Sequence, residues 1–353
     1  MNSRSTHIRL AAVSVALAFA AGGLQAKTFK WTSASDIPTW DIHSQNNALA
    51  NGIHAAVYES LVYYNSKTFK PEPVLATAWK QMTPTQLRLN LRTGVKFHDG
   101  STFSADDAVF SIERAMSKTS NFGIYAQGID KVVKVDANTI DIFTKDPNPV
   151  LLNQLTELRM MSKAWAEKNN STAPKDIKTQ DENFAHRNAN GTGPFILKEW
   201  QPDQKIVLTR NPNWWGKAEG NVTEIVYTPV KATATRMAAL LSGEVDFVLD
   251  PSPQDLPRLR QTDTLKVMDG IENRTIFFGM DQFRDELPGS SVKGKNPLKD
   301  VRVRKALYQA IDMNAITRVS LRGLGQSTGA LVAPQVAGWT ESVHARYPFD
   351  TAA

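Results

Sequence analysis

The chain has 353 residues, with 41 Lys plus Arg against 35 Asp plus Glu, 41% hydrophobic residues and no cysteine. Such a length and composition fit a soluble globular protein large enough for two domains. The modest positive excess is not gathered into runs of five like charges, so nucleic-acid binding has little support. The missing cysteines exclude disulfides, thiolate metal sites, a cysteine nucleophile and a lipid-anchored cysteine.

At the N-terminus, Arg4 and Arg9 precede the uncharged run "LAAVSVALAFAAGGL", which is followed by "QAK". A basic start, a short apolar core and a small residue form a secretory signal, with cleavage expected after Ala26. The run falls short of the ~20 apolar residues that cross a bilayer, and no later stretch is long enough. An exported chain without disulfides relies on its core, which a large domain provides.

"TFKWTSA" then reads as a strand entering a Ser/Asp/Pro loop. Residues 48–62 repeat Ile53, Val57 and Leu61 at helical spacing. "LRLNLR" alternates Leu87, Leu89 and Leu91 with polar residues, the pattern of a half-buried strand. "KVVKVDANTIDIFTK" is a hairpin around "DAN". Residues 166–192 are polar, with short helices and loops. Strands follow at about 195–200 and 205–210, and again in "TEIVYTPV". In "TATRMAALLSGEVDFVLD" a helix with Met237, Leu240 and Leu241 on one face ends at Gly243. A strand alternating Val245, Phe247 and Leu249 comes next. "LKVMDG" and "RTIFFGMD" are further expected strands. "DVRVRKALYQAID" is a helix with Asp300 as N-cap and Val303, Leu307, Ala310 and Ile311 inward. Strands and helices that mix without strict alternation argue for an α/β or α+β architecture.

His98, Asp99, Asp106 and Asp107 lie within ten residues and could be a reactive centre. Each has a local structural task instead. "HDG" is a tight-turn signature. Ser104 with Asp107 forms a capping box, and Asp106 and Asp107 favour the positive end of the following helix. Val109, Ile112 and Met116 form that helix's inner face. The histidines show no metal-ligand spacing, "GTGPF" lacks the lysine of a phosphate loop, and no Gly-x-Ser-x-Gly elbow is present. Catalytic residues, metal and cofactors are therefore not expected. Aromatics on loops are the better ligand candidates: Trp40 after the first strand, and Tyr125 in "NFGIY". Trp214 and Trp215, after the "NPN" turn, read as packing residues.

"PVLATAW" followed by "LRLNLRTGVKFHDGSTFSADDAVFSIERA" resembles the signature region of the extracellular solute-binding proteins of family 5. "GTGPFILKEW", "LTRNPNWWG", "LLSGEVDFV" and "DVRVRKALYQAIDMNAI" continue the resemblance in the family's order. It covers nearly all of residues 28–353. It implies an α/β fold of the two-lobe periplasmic-binding-protein type II kind, with an extra subdomain inserted in lobe I. Residues 1–26 would be the signal, 27–275 lobe I with the insert at about 60–185, and 276–353 the start of lobe II. "RYPFDTAA" resembles the start of a helix that normally continues, so lobe II is expected to be incomplete. "FRDELPGSSVKGKN" reads as a mobile surface loop.

The resemblance further implies a periplasmic monomer that captures a small solute, foremost a di- or oligopeptide, between two lobes and delivers it to an inner-membrane ABC permease. Matched to the family, Ile37, Pro38, Thr39 and Trp40 form a ligand-facing loop. Trp40 and Tyr125 would be apolar walls, the amides of the 37–40 loop polar anchors, and Asn273, Arg274 and Thr275 neighbours of the hinge strand. A binder of a nickel chelate, haem, glutathione or opine is the alternative within the scaffold. A sensor subunit shares the fold. A secreted hydrolase would need a nucleophile motif or an acid–base pair, and neither occurs.

Overall fold

The computed structural model describes residues 26–68, 70–179, 181–270, 272–334, 336 and 339–352. The expected signal segment, apart from Ala26, lies outside the described residues. These divide into two compact units. One holds the residues up to Ala232 together with Ala238–Val248, the other Thr233–Met237 and the residues from Leu249 onward. The expected lobe boundary at 275/276 falls inside the second unit.

In the first unit, strand β1 (Lys27–Ser33) leads through a loop to helix α1 (Ala48–His54). A hairpin of β2 (Val62–Asn65) and β3 (Lys70–Pro73) follows, then β4 (Ala76–Thr83), β5 (Gln86–Leu91), helix α2 (Ala105–Met116) and the single turn α3 (Gly123–Ala126). Next come β6 (Ile129–Asp136), β7 (Thr139–Thr144) and the short helices α4 (Leu151–Leu155), α5 (Lys163–Lys168) and α6 (Phe184–Arg187). The unit closes with β8 (Phe195–Gln201), β9 (Lys205–Arg210), β10 (Val222–Pro229) and β11 (Phe247–Val248).

Two sheets organise it. β1 pairs in parallel with β10 and β11, and β10, β9 and β8 continue antiparallel, giving the order β11-β1-β10-β9-β8. The second sheet is antiparallel, β4-β5-β7-β6. Its register sets Leu89 opposite Ile140 and Leu87 opposite Ile142, all buried, so the alternation of "LRLNLR" delivers one apolar face. On the other face Arg88 meets Asp141 with two contacts of 2.8 Å. Helix α2 lies on this sheet through Ala105, Ala108, Ile112 and Ala115. Its inner face is thus centred on 108, 112 and 115, while Val109 and Met116 are half-buried. One core runs from Leu61 to Met160 around this sheet; the other gathers Ile37, Trp40, Ile42, Tyr58 and Tyr227.

The cluster from His98 to Asp107 is architectural. The Asp107 carboxylate accepts from the Ser104 N–H at 2.9 Å and from its hydroxyl at 3.0 Å. Asp106 reaches Lys134 at the surface. Gly191 N–H donates to His98 Nδ1, so Nε2 carries the proton and donates to Gly193 O at 3.0 Å. Burial, partly offset by the hydrogen bond to Gly193, lowers the His98 pKa below its ordinary value.

The helix expected over 48–62 stops at His54. The carbonyls of Ala56, Val57 and Glu59 accept instead from Phe195, Gly193 and Met160, at 2.8–2.9 Å, which removes them from a helical ladder. Val57 and Leu61 are buried all the same. Gly191 and Gly193 ride directly on Val57: a Cβ at Gly191 would stand 2.0 Å from the Val57 oxygen. The "GTG" of the sequence is a close backbone approach.

Helix α7 (Thr233–Ser242) ends at Gly243 in the left-handed conformation, as expected. The following strand is shorter than the alternation implied. Only β11 pairs, and it buries Val248 while Phe247 is 41% exposed beside Phe29 and Trp31. In the second unit α8 (Leu256–Arg260) precedes long segments with neither helix nor strand among the described residues. "LKVMDG" and "RTIFFGMD" are not strands there: they hydrogen-bond to no neighbouring strand among the described residues, and Met268, Ile276, Phe277 and Phe278 are exposed. Helix α9 (Val301–Gln309) is capped by Asp300, whose carboxylate accepts from Arg302 N–H at 2.8 Å. Its expected apolar face is only partly covered. Val303 and Ile311 are half-buried, Leu307 and Ala310 are exposed, and Gln309 is the buried side chain. Residues 345–350 are not helical, contrary to the expectation for "RYPFDTAA".

Candidate functional site

The loop from β1 to α1 is held from both ends. The Asp36 carboxylate accepts from the Ile37 amide at 2.8 Å, from the Trp200 indole at 2.9 Å and from the Asp203 amide at 2.8 Å. The Trp40 amide donates to His186 O at 2.9 Å, and Thr39 O accepts from His54 Nε2 at 2.9 Å. Ile37, Thr39 and Trp40 are buried, and Pro38 is half-buried.

These contacts revise the loop's expected role. Trp40 is 0% exposed and packs 5.2 Å from the His54 ring, so it is a core residue of this unit rather than an open wall. The amides of Ile37 and Trp40 are already committed and Pro38 has none. Tyr125 differs. It sits in α3, half-buried against Phe122, and its hydroxyl accepts from Asn46 Nδ2 at 3.3 Å. Asn46 Oδ1 in turn accepts from Asn51 Nδ2 at 2.9 Å, and the Asn51 carbonyl accepts from Arg159 Nη2 at 2.8 Å. A hydrogen-bonded row of Tyr125, Asn46, Asn51 and Arg159 therefore borders the start of α1. Asn273, Arg274 and Thr275 belong to the second unit, where Arg274 pairs with Glu272 and Thr275 donates to Leu331 O.

Behind the loop lies a buried ionic network. Arg114 on α2 grips Asp41 with two contacts of 2.7 Å, and both side chains are buried. Arg114 Nε donates to Ser171 O at 3.1 Å, and Asn183 Nδ2 reaches Asp41 at 3.1 Å. Arginine only donates, so His43 Nδ1, 3.3 Å from Arg114, is the acceptor; His43 Nε2 then donates to Arg159 O at 3.2 Å. Burial alone would push the Asp41 carboxyl up, but the charge and hydrogen bonds of Arg114 outweigh it and hold it below its ordinary value. Burial, reinforced by Arg114 for His43 and by Arg159 for His54, lowers both imidazoles to about 3. Both are neutral at ordinary pH.

A second buried acid, Glu59, is held by neutral donors, with the Arg92 charge acting on it from beyond them. Its carboxylate accepts from Thr192 Oγ1 at 2.7 Å, Trp214 Nε1 at 3.1 Å and Trp215 Nε1 at 2.8 Å, while Arg92 stacks over the Trp215 ring at 4.0 Å. Burial raises the Glu59 pKa against these three donors. Trp214 and Trp215 thus pack as expected, with a polar task in addition. Among the described residues, no group of three or more His, Asp or Glu is placed to hold a metal ion.

Residues 70–353 match the family described as Bacterial extracellular solute-binding proteins, family 5 Middle. The chain belongs to that family. It is 27% identical over 322 residues to the dipeptide-binding protein of Escherichia coli K12, covering 83% of this chain and 55% of that protein. It is also 27% identical over 320 residues to heme-binding protein A of Haemophilus influenzae, covering 85% of this chain and 55% of that protein. The chain thus spans about half the length of these relatives. In fold it resembles the ABC transporter-associated periplasmic binding protein DppA of Helicobacter pylori in complex with peptide STSA. The TM-score is 0.78 at 23% identity, over 92% of this chain and 64% of that one. The α/β fold is therefore that of the family's periplasmic binding proteins. The family and these neighbours are binding proteins rather than enzymes, and no helix among the described residues is long and apolar enough to cross a membrane.

Asn46, Asn51 and Arg159 are not among the residues expected from the sequence. Their signal is weak: each is an ordinary polar residue near a helix, and only the fold aligns them. The Asp41–Arg114 pair left a fainter trace. Asp107, Ser111 and Arg114 recur at i, i+4 and i+7 beside an apolar stripe, a second buried face made of polar residues.

Proposed function

We propose that the protein is a periplasmic solute-binding component that captures a di- or oligopeptide and delivers it, unaltered, to an inner-membrane ABC permease. In this reading it acts as a monomer after loss of residues 1–26, and residues 276–353 begin a second lobe, with a subdomain inserted at about 60–185. The observation that carries it is the family match over residues 70–353, with relatives named for binding a dipeptide or a peptide. The half-exposed Tyr125, hydrogen-bonded to Asn46 beside the β1–α1 loop, supports a recognition surface there: an aromatic plane flanked by an amide suits a peptide group. Ile37, Pro38, Thr39 and Trp40, on the same β1–α1 loop as Asn46, are proposed to contribute to it. Asn273, Arg274 and Thr275 are proposed as solute contacts in their own right. Native mass spectrometry of the protein purified from its own periplasm tests the reading. It is expected to reveal a peptide-sized adduct that is released unchanged. A different adduct would favour haem or glutathione, the solutes named for other relatives.

A further inference from the structure

Arg114 and Arg159 both carry a guanidinium into the first unit, and their surroundings differ sharply. Arg114 is neutralised by Asp41 through both terminal nitrogens, Nη1 and Nη2. Arg159 donates from Nη2 to the Asn51 carbonyl, its Nε is buried without a hydrogen-bond partner, and no carboxylate pairs with it among the described residues. Its backbone is fixed, since it bridges Ser60 and its carbonyl accepts from His43. The imidazoles of His43 and His54 nearby are neutral, and Glu157, on its own segment, is the acid that acts on it from a distance. A desolvated cation without a counter-charge is unfavourable, and a guanidinium fork is shaped for a carboxylate. The residue is nevertheless only half-buried, so part of it faces outward.

We propose that Arg159 receives the carboxylate of the bound solute, at the end of the row that starts with Tyr125 and passes through Asn46 and Asn51. The inference deepens the solute-capture reading and rests on it. The two amide side chains match the donors and acceptors of a peptide group, and Arg159 supplies the charge that fixes the direction in which the solute lies. Arg159 is then a specificity-determining residue that distinguishes anionic from neutral solutes.

Two measurements on the whole chain test this, comparing wild type with Arg159→Met. In thermal unfolding, sodium acetate is expected to raise the wild-type midpoint above that in sodium chloride of equal ionic strength, and to leave Arg159→Met unmoved. The same response in both proteins overturns the proposal. In calorimetry with Ala-Phe and its C-terminal amide, amidation is expected to weaken the wild type about ten- to hundredfold and the variant hardly at all. An equal loss in both overturns it. If Ala-Phe fails to bind while acetate still protects through Arg159, the carboxylate site stands and the peptide reading falls. Should Arg159→Met fail to fold, Arg159→Gln, which keeps a donor for the Asn51 carbonyl, takes its place under the same criteria.

Discussion

Asp41 and Arg114 meet through two contacts of 2.7 Å, with side chains 1% and 0% exposed. The pair fastens the loop after β1 to helix α2, so the segment leading into α1 and the sheet-covering helix share one buried bond. A pair so desolvated matters most when broken. Asp41→Asn leaves the Arg114 charge uncompensated and is expected to cost about 3–5 kcal/mol in urea unfolding. Adding Arg114→Met should cost less than the sum of the two single changes.

The pH dependence follows from the same network. Asp41 has a folded pKa below its ordinary 3.8, so its contribution is present above 3.8 and is lost as pH falls through the lower folded value. His43 and His54 fall from 6.5 to about 3, so the folded state takes up their protons far later than the unfolded chain does. Their effect is absent above 6.5, and stability declines as pH drops from there toward 3. Each contributes about 1.4 kcal/mol per pH unit across that window. Equilibrium unfolding between those limits should become shallower in His54→Gln.

Two glycine substitutions should act in opposite directions. Gly52 lies within α1, and a methyl group added there would meet nothing within 4 Å, so Gly52→Ala is expected to stabilise by about 0.5–1 kcal/mol. Gly191→Ala drives its methyl into the Val57 carbonyl and is expected to destabilise by about 1–3 kcal/mol or more. Denaturant midpoints of the two variants check both signs.

Trp40 and Tyr125 separate stability from binding. Trp40→Ala empties a fully buried site and is expected to cost about 3–5 kcal/mol of stability. Tyr125→Ala, at a half-exposed turn, should leave the unfolding midpoint nearly unchanged and weaken solute affinity about tenfold. Calorimetry and thermal unfolding on the same two variants distinguish the roles.

The elements legible in the sequence were those whose pattern is local. The alternation of Leu87, Leu89 and Leu91, the capping residues Ser104 and Asp300, and the helix stop at Gly243 each act through neighbours in the chain. Elements that depend on distant partners were not legible. α1 ends early because Gly193 and Phe195 claim the carbonyls of Val57 and Ala56. The apolar run around Phe277 has strand composition, but a strand exists only where another pairs with it. Trp40 follows a strand in a loop, the usual place for a ligand contact, and its burial depends on α1 and on residue 186, far along the chain. The row from Tyr125 to Arg159 joins three distant stretches of chain, so no single stretch of sequence carries it.

Solute capture without conversion is tested most directly by titrating the purified chain in a calorimeter with Ala-Phe, haem and glutathione, followed by chromatography of each mixture. A saturable one-to-one heat is expected with the dipeptide, which should be recovered intact. No heat from any of the three, or recovery of a cleaved product, is incompatible with capture of this kind.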